Sequence, residues 1–267
     1  MLLTTKEGKE NLNRFGFRHQ RSGSHLARTM MLSELQLLLS FVDNPNAEKS
    51  YYFQAIEKKN CLLKRSGRTR QLTTRHLSEL YALDPNVTLF RTLRFFWNRD
   101  IDGQPLLALI CAFARDSILR SSASFIQDYS FGQIVTREAL EGFIDNQEPG
   151  RFSKATLKST AQNINASWTK SGHLQGRVKK IRSQPKATPG SVSYALLLGY
   201  LNGIRGESIF KTEYAKLLDC SFERSIELAI EASGKGWIVL KRLGSVIEVL
   251  FPNLLSQQEM EWVREQS

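Results

Sequence analysis

The sequence predicts a mainly α protein. A multi-helical N-terminal domain with a basic helix-turn-helix-like segment is expected over residues 1–150, and a helical, winged-helix-like part closing on a β-hairpin at 237–251 is expected over 151–267. Three observations carry that reading. Apolar residues recur at helical spacing through the first half, with no convincing strand alternation before residue 150. Near the C-terminus three helix-like runs precede two strand-like runs around Gly244-Ser245, which is the winged-helix order, with a plain hairpin capping a helical bundle as the alternative. The composition, 41% hydrophobic and 10% aromatic over 267 residues, supplies enough apolar surface for one large domain or two ordinary ones.

The elements follow in order. Leu26–Val42 carries a broad apolar stripe and stops before Asp43-Asn44-Pro45-Asn46. A second helix is expected from near Lys49 to Leu63, with Gly67 as its breaker. A third runs from about Thr69 to Leu83, with Leu72, His76, Leu80 and Leu83 in phase, and Asp84-Pro85 stops it. Val87–Trp97 and Thr136–Ile144 read as further helices. The apolar run Pro105–Ala114 is far short of the ~20 residues of a membrane span and is closed by Arg115 and Asp116, so it reads as a buried helix. From Arg151 a new unit begins. Leu157, Ala161, Ile164 and Trp168 share one helical face, with Lys154, Ser159, Asn163 and Lys170 opposite. Gly172 suits the left-handed position that ends this helix, and Gly176 marks a short strand or hairpin. Ser183–Gly190, with two prolines, is a connector.

The C-terminal stretch reads as an apolar helix over Ser191–Gly206, a short amphipathic helix over Lys211–Ser221, and a third with Ile226, Ile230 and Ser233 in phase and Gly234 as its stop. A two-residue loop at Gly244-Ser245 would pair Leu243 with Val246, Lys241 with Glu248 and Leu240 with Val249, and set Ile238 opposite Phe251.

The net charge of +11 is unevenly spread. Residues 58–78 hold seven Lys/Arg and residues 149–206 hold ten, with no acid in either, so the remainder of the chain carries −6. Two acid-free basic segments on a mildly acidic chain suit a partner with a phosphate backbone. Three widely spaced cysteines (Cys61, Cys111, Cys220) offer no disulfide framework and fit a reducing, cytoplasmic setting. The first twenty residues are too polar for a signal peptide.

Catalytic chemistry has little support. Ser167 or Ser171 beside His173 lacks an acid to orient the imidazole, since none follows within thirty residues. The histidines are scattered, without metal-ligand spacing. Asp100 with Asp102, or Glu138, Glu141, Asp145 and Glu148, would be the carboxylates of a metal nuclease, but the second set has the spacing of a solvated helix face. There is no phosphate-binding glycine loop. Neither an enzyme nor a cofactor is expected. The expected nucleic-acid contacts are Lys64, Arg65, Arg68, Arg70 and Arg75 in the first segment and Lys170, Arg177, Lys179, Lys180 and Arg182 in the second. The third C-terminal helix offers Arg224 but also Glu223, Glu227 and Glu231, which would repel DNA.

Asn60–Leu80 (Asn-Leu-Leu-like start, basic Arg-Thr-Arg turn, helix), Pro105–Arg120 (apolar helix with a cysteine) and the helix running into Ser167–Gly176 resemble the BrxA family of BREX phage-resistance systems. The similarity covers residues 30–200, and residues 205–267 extend beyond the family pattern. The resemblance implies a mostly helical, cytoplasmic, non-enzymatic component that binds double-stranded DNA. It would act beside a methyltransferase, a phosphatase-like protein and an ATPase, with the family's basic turn at Arg65, Arg68 and Arg70. The expectation is therefore sequence-tolerant binding of double-stranded DNA in phage defence. The alternatives are a scaffold that docks an acidic protein and an RNA-binding helical module.

Overall fold

The computed structural model describes residues 6–19, 23–244 and 246–265. It is mainly helical, with two small antiparallel sheets. In chain order the helices are α1 (Lys6–Phe15), α2 (Leu32–Phe41), α3 (Lys49–Glu57), α4 (Gly67–Tyr81), α5 (Thr88–Trp97), α6 (Gln104–Arg115), α7 (Ser117–Ser121) and α8 (Ala123–Gln127). Strand β1 (Ile134–Val135) precedes α9 (Arg137–Gln147) and α10 (Lys154–Lys170), which are followed by β2 (Leu174–Gln175) and β3 (Lys180–Arg182). The chain continues through α11 (Pro189–Leu201), α12 (Glu213–Lys216) and α13 (Phe222–Gly234) to β4 (Val239–Leu243), β5 (Val246–Leu250) and α14 (Gln257–Arg264). No helix among the described residues is long and apolar enough to cross a membrane.

Two compact units form, and their segments interleave along the chain. One holds residues up to Phe17, Val87–Ile110 and Pro185 onward; the other holds Arg18–Asn86 and Cys111–Gln184. These boundaries differ from the single one near residue 150 expected from the helical pattern that begins after Arg151.

The first unit is built on α11. This helix is apolar on all sides, and a helix without a polar face belongs in an interior. Val192, Tyr194–Leu198 and Leu201 are all buried. Thr188 and Ser191 form a reciprocal cap at its start, with Pro189 in the first turn. The Gly190 amide donates to Asp100 Oδ2 at 2.7 Å, and a side chain at Gly190 would collide with that carboxylate. The β4–β5 hairpin has the expected register, Leu240 facing Val249, Lys241 facing Glu248 and Leu243 facing Val246. Gly244 takes a φ of 59°, as the first loop position of a primed turn requires; Ser245 lies outside the described residues. In α13 the inward stripe is Ser225, Ile226, Leu228, Ala229 and Ala232. Ile230 faces solvent instead of the core, and the left-handed residue past the helix is Gly236 rather than Gly234. Helix α14 was not anticipated. Its Glu259 is buried and accepts from Thr88 and from Arg91, the latter at 2.5 Å.

The second unit departs from expectation at its helix ends. The run from Leu26 does not form one helix. A 3-10 turn covers Ser24–Leu26, and α2 starts only at Leu32. The intervening backbone is held from far away: Met30 N–H donates to Ser167 Oγ at 2.8 Å, and the Tyr81 hydroxyl donates to Met30 O. Helix α3 stops at Glu57 rather than Leu63. Gly67 begins α4 instead of ending α3, because Ser66 Oγ caps the helix by accepting from Thr69 N–H. Strand β1, too short for any alternation to show, pairs with β3 (Ile134 with Ile181, Val135 with Lys180), and β2 pairs with the other edge of β3, giving the order β1-β3-β2. Leu157, Ala161, Ile164 and Trp168 form the buried face of α10 as expected.

Candidate nucleic-acid interface

The first basic segment is a braced turn leading into α4. Asn60 and Leu63 both adopt positive φ, 51° and 52°, an uncommon conformation for such residues. The Asn60 amide offsets that cost by bonding both backbone groups of Lys64, accepting from its N–H at 2.8 Å and donating to its carbonyl at 3.1 Å. Arg65 and Arg68 are exposed, and Arg70 is half-buried. The first turn of α4 holds no acid, and its Thr69 amide donates to Ser66 Oγ at 3.1 Å. Lys64 is not a free cation: its Nζ lies 3.1 Å from Glu34. Burial pushes the Glu34 carboxyl up, but a backbone hydrogen bond, Lys64 and Lys170 outweigh it and hold the group below the usual carboxylate range. Lys64 and Lys170, one from each basic segment, thus act on the same carboxylate. Arg75 lies 3.7 Å from Glu79 on the α4 surface.

The second segment is α10 with the β2–β3 hairpin. Ser153 caps α10, and Lys154, Lys158, Ser159 and Gln162 are exposed along it. Lys170, at its end, is half-buried and reaches Thr29 Oγ1 at 3.5 Å. Gly172 ends the helix with a φ of 91°, and Gly176 turns the hairpin with a φ of 95°. A side chain at Gly176 would come within 2.2 Å of the Lys179 carbonyl. Arg177, Val178 and Lys179 project from the turn into solvent. Lys180 donates to the Gly176 carbonyl at 2.7 Å, and partial burial lowers its pKa.

Arg182 corrects the sequence reading. It is 3% exposed. Its guanidinium donates to the carbonyls of Ile126, His173 and Ser183 at 3.0, 3.2 and 2.5 Å and stacks 5.0 Å from the Phe131 ring. It fastens the sheet rather than facing a ligand. Strand alternation gives no sign of this, since it sets Arg182 on the side of Lys180 and opposite Ile181.

The serines and histidines also pair otherwise than their sequence neighbours suggest. His173 Nδ1 bonds Ser171 Oγ at 2.9 Å, while Ser167 Oγ lies 2.9 Å from His25 Nε2, whose Nδ1 is 2.9 Å from Asp116 Oδ2. The acid missing downstream of Ser167 comes from far upstream. This arrangement has the order of a catalytic triad but not the accessibility. Ser167, His25 and Asp116 are 0%, 0% and 1% exposed. The Ser167 hydroxyl already donates to Asn163 O at 2.9 Å and accepts from Met30 N–H. The cluster ties the 3-10 turn and the segment before α2 to α10 and to the start of α7.

The candidate carboxylates are engaged by other groups, Asp145 by the Gly150 amide at 3.4 Å. Asp100 accepts from backbone amides, Asp102 meets Lys186 at 2.5 Å, Glu138 and Glu141 meet Arg137 at 2.5 and 2.7 Å, and Glu148 meets Arg151 at 2.7 Å. On α13, Arg224 is taken by Glu227 at 2.8 Å, leaving an exposed face that is acidic on balance. Compared with protein-family models and with curated proteins, the chain matches none.

Proposed function

We propose that this protein is a cytoplasmic, non-enzymatic, sequence-tolerant binder of double-stranded DNA, acting through the second unit. The observation that supports it is the exposed row Lys154, Lys158, Ser159 and Gln162 on α10, followed at once by a hairpin presenting Arg177 and Lys179. The order α8-β1-α9-α10-β2-β3 with sheet order β1-β3-β2 fits a winged helix, which would set α10 in the major groove and the β2–β3 turn as the wing. Lysines and arginines supply affinity by releasing counterions from phosphates. Arg65 and Arg68 at the start of α4 add further phosphate contacts. The α11–β5 region has a similar order of helices and hairpin, but its acidic α13 face suits a protein contact better than DNA. In line with the resemblance to the BrxA family, the protein would work in a phage-defence system beside a methyltransferase, a phosphatase-like protein and an ATPase.

Anisotropy titration of a labelled duplex tests this. Lys154→Glu, Lys158→Glu, Arg177→Glu and Lys179→Glu together are expected to abolish binding at moderate salt; unchanged affinity would sink the assignment. Structured RNA as competitor separates this reading from an RNA-binding module: displacement by RNA at concentrations where duplex DNA fails would favour the latter.

A second reading, docking of an acidic protein, is favoured by one feature. Leu37, Phe41 and Leu63 are 56%, 50% and 86% exposed, and Lys59 lies over the Phe41 ring at 5.8 Å while Lys64 reaches Glu34 on the same helix. Here Phe41→Ser with Leu63→Ser should spare duplex affinity and break co-purification from the native locus.

A further inference from the structure

The β2–β3 turn and α10 border a groove of about 520 Å³, inside the roughly 300–1,000 Å³ range of small-molecule sites. Gln162, Asn165 and Ala166 of α10 line it together with β1, the start of α9 and Arg177–Lys180. Asn165 is 4% exposed, and its Oδ1 has no hydrogen-bond partner. Leaving a buried amide oxygen unpaired is unfavourable, and such groups in native proteins call for a reason. What satisfies it has to be an N–H or O–H donor. Gln162, three residues earlier, brings a second amide to the same groove, and this one is exposed. Ile134, Ala166 and Val178 contribute apolar surface. The cations outnumber the acids: Arg177 and Lys179 are exposed, and Glu138, the acid among the lining residues, already meets Arg137 at 2.5 Å. A donor-bearing edge, a flat apolar body and an anionic group are together the chemistry of a nucleotide.

We propose that this groove holds a single nucleotide, its base edge on the amides of Asn165 and Gln162 and its phosphate on Arg177 and Lys179. The nucleotide is either free in solution or an unpaired residue of a strand, swung out of its stack. Only the second source rests on the DNA reading above. A base inside a duplex keeps its Watson–Crick edge occupied, so the groove favours an unpaired one.

The test uses the full chain. AMP, CMP, GMP, UMP and inorganic phosphate are titrated by calorimetry, and a duplex with one unpaired base is compared with its fully paired counterpart by anisotropy. Tighter binding of a nucleotide than of phosphate identifies a free ligand; preference for the unpaired base identifies a strand. In either case Asn165→Leu and Gln162→Ala are each expected to weaken binding roughly ten-fold or more, and Asn165→Leu should raise Tm, because it removes an unpaired amide from the interior. Gln162 is exposed, so its variant keeps the fold even if the Asn165 variant does not. Phosphate binding as tightly as every nucleotide, together with no preference for the unpaired base, would falsify the proposal. Wild-type affinity in both variants would also overturn it. Retained binding of the paired duplex in that case leaves the DNA reading standing, and nucleotide binding without duplex binding leaves the groove standing.

Discussion

Arg182 follows Arg177, Lys179 and Lys180 in the chain, yet its guanidinium sits on three backbone carbonyls while Arg177 and Lys179 stand in solvent. Removing a buried donor strands the acceptors it served. Arg182→Ala is therefore expected to lower unfolding stability by about 2–4 kcal/mol in a denaturant titration, against about 0.5 kcal/mol or less for Arg177→Ala. Equal losses would contradict the buried placement. Asp116 gives a pH prediction. Burial pushes its carboxyl up, but His25 and the backbone amides of Leu119 and His25 outweigh that and hold it below the usual range. A group whose folded pKa is depressed adds stability above its unfolded pKa, about 3.9 for Asp, and loses it as pH falls through the folded value. Stability should thus drop as the solution is acidified below about pH 4, and Asp116→Asn should flatten that part of the curve. The comparison is between the urea midpoints of the two proteins across acid pH; matching slopes would remove Asp116 from the account.

At the scale of elements, much of the fold was legible. The faces of α10 and the β4–β5 register follow from periods of 3.6 and 2, which depend on local geometry alone. Helix ends were less legible, because they answer to partners. Ala27–Met31 has helical composition, but the Met30 amide and carbonyl are met by Ser167 and Tyr81, so the segment satisfies its backbone without a helix. Gly67 looked like a stop, and the Ser66 cap made it a start. Ser66→Ala should cost about 1 kcal/mol, read from a shift in the denaturant midpoint. Helix α14 hangs on Glu259, which joins Arg91 and Thr88. Glu259→Ala is expected to cost about 1–3 kcal/mol and to increase protease cleavage between Pro252 and Ser256. An unaltered cleavage pattern would show that the helix is held by its apolar face instead.

For the whole molecule, charge is the property that scales. On the proposed reading, the +17 carried by two segments on a chain of net +11 would make binding dominated by phosphates. Duplex affinity should therefore fall steeply as salt rises, and each cation replaced should reduce the log–log slope by about 1. The slope should respond to Lys154, Lys158, Arg177 and Lys179 and not to Arg182. A flat salt series, or an equal response to Arg182, would point away from the exposed face of α10. About half of this candidate site was visible in the sequence. The acid-free runs located the cations, but which of them face solvent depends on strand β3 and on Glu34, and neither has a local signal.

The amino-acid sequence by itself determined the helical class, the amphipathic faces, the C-terminal hairpin with its register and the concentration of positive charge, because all of these rest on spacing, residue volume and formal charge along a local stretch. Only the tertiary structure decided that the two units interleave, that Ser167 joins His25 and Asp116 in the interior, that Arg182 is withdrawn from the surface, and that Asn165 lines a groove with its amide oxygen unpaired. Those outcomes depend on which distant backbone groups need a hydrogen-bond partner, and that is settled when the segments pack.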